Sequence, residues 1–152
     1  MPTIPLFLAT LVLVAACATP QEPGLVIPLA AAPSNAGALG RATLLPQSAG
    51  TRIEVFFTAA GAQTTLPLHV YTFLYEGDCA SLPEQPSFAL NDVVLVRTPR
   101  GDFAGSRRGA FTLSHEVPLP LPELADGRYA LALRAAPQDG GELLFCGAVR
   151  RA

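Results

Sequence analysis

In PLHVYTFLYEGDC, residues 67–79, His69 alternates with Tyr71, Phe73 and Tyr75 along one side of the chain. A period of two belongs to a strand, whose successive side chains point to opposite faces, whereas a helix returns to a face every 3.6 residues. Gly77 and Asp78 then break the run. The same alternation recurs elsewhere. TRIEVFF (51–57) sets Ile53, Val55 and Phe57 against Arg52 and Glu54, and RYALALR (128–134) sets Tyr129, Leu131 and Leu133 against small alanines. Further runs at ATLLP, FALNDVVLV, AFTLSHEV and ELLFCGAV are separated by Gly, Pro, Asp and Asn. Seven strands with no long helix predict an all-β, antiparallel Greek-key sandwich or barrel. One helical turn is expected at LPELADG, residues 121–127.

The composition agrees with one folded domain. The chain has 152 residues, 50% of them apolar and 14% charged, enough to bury an ordinary core. All ten basic residues are arginine and the net charge is −2, so no lysine is available for Schiff-base chemistry and nucleic-acid binding has little electrostatic support. Ser81, Ser87, Ser106 and Ser114 lack a nucleophile-elbow pattern, and no glycine-rich phosphate loop is present.

Ile4 to Ala16 gives about 13 mostly apolar residues, which as a helix would reach roughly 20 Å against a hydrocarbon core of about 30 Å. That is the length of a signal peptide. The closing VAAC resembles the bacterial lipobox, which implies cleavage after Ala16, lipidation of Cys17 and, with Ala18 next, sorting to the outer membrane facing the periplasm. The expected organisation is a signal peptide over 1–16, a lipidated Cys17 with a flexible tether over 17–40, and a β-sandwich over 41–152. Within the tether, Leu25–Leu29 has the option of docking as an edge strand, where Pro28 would cost no ladder bond. With Cys17 lipidated, Cys79 and Cys146 remain as one pair in an oxidising compartment, and a disulfide is expected. A redox or metal-thiolate pair is the alternative, although neither cysteine has a Cys or His close by in sequence.

Taken in order, PLHVYTFLYEGDC, FALNDVV, LADGRYALALR and FCGAV resemble the copper-zinc superoxide dismutase-like sandwich family, over roughly residues 42–149. In that family a strand bearing His-x-His runs into a loop whose cysteine bonds a Cys-Gly pair on the last strand. The resemblance puts those places at His69, Tyr71, Cys79 and Cys146-Gly147. It also puts Arg134 where relatives carry a histidine. A copper-zinc site needs several imidazoles, and this chain has two histidines, His69 and His115. Arginine cannot serve as a ligand, so no cofactor and no dismutase activity are expected.

The alternatives are a copper or zinc site built on His69, with His115 or the carboxylates of Glu76 or Asp78, and a small anionic-ligand site built on Tyr71 and Arg134. By default His69 is hydrogen-bonded to a neighbour, His115 belongs to the core, and Arg134 pairs with a Glu or Asp. RTPRGDFAGSRRG (97–109), with four arginines and one aspartate, reads as a solvated loop able to steer an anion. The sequence therefore predicts a non-enzymatic envelope lipoprotein with a structural or interaction role. Its expected partners are the membrane, through the lipid anchor, and an envelope protein.

Overall fold

The computed structural model describes residues 23–151. The lipobox, Cys17 and the signal segment lie outside the described residues. Eight strands form one curled antiparallel sheet: β1 Leu25–Ala31, β2 Gly40–Gln47, β3 Gly50–Ala59, β4 Val70–Glu76, β5 Phe88–Ala89, β6 Arg108–Val117, β7 Asp126–Ala135 and β8 Leu143–Arg150. Their spatial order is β5-β4-β7-β8-β1-β2-β3-β6. One α-helical turn among the described residues, α1 (Leu121–Leu124), falls where the sequence put it, with Leu121 and Leu124 buried.

The first strand corrects the expected boundary. The sequence places residues 25–31 in the tether, with Leu25–Leu29 at most an edge strand, yet β1 is central: residues 25–29 pair with β2, and Ala30 and Ala31 pair with β8. Ile27 and Leu29 point into the core and are buried. Pro28 is tolerated for a local reason. Its carbonyl is directed at Gly147 of β8, so its nitrogen faces away from β2, and the β8 ladder is not paired at that residue. The described sheet therefore already includes residues 25–31, ahead of the expected boundary at 41.

FALNDVVLV also departs from expectation. Only Phe88–Ala89 forms a strand of the sheet: Asn91 turns its Oδ1 to the Thr72 amide at 3.0 Å, and beyond it the run keeps to β4 by isolated backbone bonds. Further on, it is used differently. The Val70 amide donates to the Val94 carbonyl and the Val96 amide to the Leu68 carbonyl, while Arg97 exchanges backbone bonds with Thr112 of β6. Loop 90–107 thus joins the two free ends of the sheet, β5-β4 and β6, and satisfies backbone groups that open edges would expose.

Inward residues of all the longer strands fill the core. Phe57 is at its centre, its ring tilted against Phe111 at 5.4 Å and Phe145 at 5.9 Å between centroids. The alanines of β7 are not on a wet face. Ala130 and Ala132 pack outside the sheet with Tyr75, Phe73, Leu82 and Cys146 in a second apolar cluster. The Cys79–Cys146 disulfide fixes the loop after β4 over that cluster, as expected from the cysteine count.

Candidate functional site

Register brings Tyr71 and Arg134 together. They are direct partners in the β4–β7 ladder, on the outer face that also carries Phe73 and Tyr75. The Arg134 guanidinium lies 5.9 Å from the centroid of the Tyr75 ring, and its Nη1 donates to the Gly141 carbonyl at 3.2 Å. The expected carboxylate partner is not what holds it. The turn Pro137–Asp139 ends in Gly140 and Gly141, with φ of 87° and 61°, and that left-handed path brings the Gly141 carbonyl back to Arg134. Tyr71, Phe73, Arg134, Pro137 and Gly141 line a pocket of about 280 Å³ that no acidic residue lines. The Arg134 Nε is buried without a hydrogen-bond partner among the described residues. Such a site presents a cation and aromatic faces to an anionic or aromatic group.

His69 is placed one strand position before this face, bridging to Leu95. Its Nδ1 is 2.8 Å from the Pro67 carbonyl; a carbonyl only accepts, so Nδ1 carries the proton. The other ligands weighed with it are engaged elsewhere. Glu76 is 3.8 Å from Arg128, and Asp78 accepts from the amides of Ala80 and Ser81 in its own turn. Among the described residues, no three His, Cys, Asp or Glu side chains are grouped to hold a metal ion.

His115 is a core residue of β6, 1% exposed and paired with Ile53 of β3. Its Nδ1 is 3.8 Å from Asp92 Oδ1, a charge contact too long for a hydrogen bond, and neither ring nitrogen has a hydrogen-bond partner among the described residues. Burial penalises the imidazolium more than the Asp92 carboxylate favours it, so the pKa is held below 6.5. The unfolded chain therefore takes up the proton first. The stability that the neutral ring contributes is complete above about pH 6.5 and is lost as pH falls from there toward the folded-state pKa, by at most about 1.4 kcal/mol per pH unit. In urea unfolding between about pH 7.5 and pH 5, His115→Leu is expected to match the native chain at the upper end and exceed it increasingly below. Parallel pH profiles of the two proteins would refute this.

The arginine-rich loop is only partly free. Arg97 donates to the Gly101 carbonyl at 2.7 Å and stacks on Phe103 at 4.3 Å, whereas Arg107 donates through Nε to the Thr64 carbonyl. Sequence reasoning missed the partnership of Asp92 with His115 and the role of Gly141, because both join residues through loops whose course no local pattern specifies. Compared with known protein families, curated proteins and solved structures, the chain matches none.

Proposed function

We propose that this chain is an exported, periplasm-facing lipoprotein, anchored at Cys17 in the outer membrane, whose dismutase-like Greek-key sandwich is a non-enzymatic interaction module. The strand order supports the family reading. The chain leaves β3 for β4, returns from β5 to set β6 beside β3, and leaves again to set β7 beside β4, which are the long returns of Greek-key connections. The Cys79 bond to Cys146, with Gly147 next to it, supports it too.

The observation that carries the functional reading is the Tyr71–Arg134 pair. On the face where the resemblance implies metal ligands, a guanidinium lies over Tyr75, and its charge opposes a cation. Titration of the full chain with copper and zinc is expected to show no stoichiometric binding, with His69→Ala indistinguishable from native. One metal per chain, lost on His69→Ala, would overturn the proposal in favour of copper or zinc handling. The pocket beside Arg134 favours a second reading, a small anionic-ligand binder. In that case Arg134→Ala abolishes binding of the ligand and leaves metal content unchanged.

A further inference from the structure

The end of the sheet away from the start of β1 holds a cleft of about 590 Å³ between three loops. Register identifies that end. Leu25 aligns through Leu44 and Ile53 with His115, whereas Leu29 aligns through Gly40 and Phe57 with Phe111, three residues along β6 from Arg108. The first loop contributes Ser34, Asn35 and Gly37, the second runs from Thr58 to Ala62, and the third brings Arg107 and Arg108. Two walls are nearly bare of side chains. Residues 36–38 are Ala-Gly-Ala and 59–62 are Ala-Ala-Gly-Ala, and a Cβ on Gly37 would meet nothing within 4 Å. Backbone and small groups therefore leave the opening to the arginines.

The walls are tied together. Buried Asn35 donates from Nδ2 to the Ala59 carbonyl at 3.0 Å, joining the first loop to the second. In the third loop, Ser106 Oγ donates to the Arg108 carbonyl at 2.9 Å and accepts from the Arg108 amide at 3.2 Å. Arg107 is held through Nε by Thr64, which fixes the plane of its guanidinium and leaves the two terminal nitrogens to donate elsewhere. The Arg108 side chain has no hydrogen-bond or ionic partner among the described residues. No carboxylate lines the cleft, and Asp139, at the same end, accepts from the amide and hydroxyl of Thr65. Two guanidiniums in one cleft without a counter-charge repel each other until an anion is shared between them.

We propose that this cleft binds the oxyanion of a small polar ligand, a phosphate monoester or a carboxylate, through Arg107 and Arg108. The inference does not rest on the lipoprotein reading or on the Tyr71–Arg134 pocket. In combination with an anchor at Cys17 it directs the site away from the end where the chain enters β1.

The test is titration of the full chain with glucose 6-phosphate, glucuronate and glucose, followed by calorimetry and by the arginine Nε–H resonances. Saturable binding of at least one anion and none of glucose is expected. Arg107→Ala and Arg108→Ala should each weaken it by about tenfold or more, as loss of a charge-assisted contact requires. Arg100→Ala, which removes the same charge from elsewhere in loop 90–107, should leave it within about twofold. Binding confined to one anion identifies which group the cleft takes. Absence of binding, equal weakening by Arg100→Ala, or loss only in Arg134→Ala would each overturn the proposal, the last assigning the anion to the other pocket.

Discussion

Cys79→Ser is expected to lower the unfolding free energy by about 4 kcal/mol, because the bond closes a loop of 67 residues that the unfolded chain otherwise explores. In a domain of this size that corresponds to a fall in Tm on the order of 10–15 °C. The bond has a second task in the folded state. It fixes Cys79 and Leu82 over Ala130, Ala132 and Tyr75, so the cut chain also loses the lid of its outer apolar cluster. Cys79 is the better position to change, since it is half-buried while Cys146 is buried within β8 and a serine there would add an unpaired hydroxyl. Denaturant unfolding with and without a reducing agent measures the effect. Reduction should bring the native protein to the midpoint of Cys79→Ser; a shift under about 1 kcal/mol would mean that the unfolded chain keeps its two ends together without the bond.

Gly147→Ala is the second large effect, expected at about 3 kcal/mol or more. A Cβ on Gly147 would lie 2.4 Å from the Pro28 carbonyl oxygen and 2.8 Å from Leu29 Cδ2. The oxygen belongs to the backbone of a central strand, so relief requires β1 and β8 to part, and the pairing of Ala30 and Ala31 with Cys146 and Phe145 lies immediately beside it. Unfolding in urea and hydrogen exchange at Ala30 and Ala31 report the two consequences. A fully stable variant with unchanged protection would refute the close approach.

The sequence pattern behind the family resemblance included Cys146-Gly147 only as a pair of letters; the close pass of Pro28 supplies its physical reason. Strands with a clean alternation, such as β3 and β6, were legible because one face of each is core and the other is wet. β1 was legible only as an optional edge strand, since a Pro within a Pro-rich, Ala-rich stretch hides two inward side chains, and what makes it central is the presence of β2 and β8 on its two flanks. At the candidate site, the parity of His69, Tyr71 and Arg134 could be read. The partner of Arg134 could not: a backbone carbonyl carried in by two glycines of positive φ leaves no trace in side-chain chemistry.

Because β1 and β8 are the first and last strands of the described fold and lie side by side in the middle of the strand order, the two halves of the sheet are joined only when both are present. Long-range closures of this kind are reached slowly, after the entropy of joining distant ends has been overcome. A chain made N-terminus first has no partner for the β8 flank of β1 until Phe145 and Cys146 have been added, and Cys79 waits for the same stretch. Until then the sheet lacks both its central seam and its disulfide.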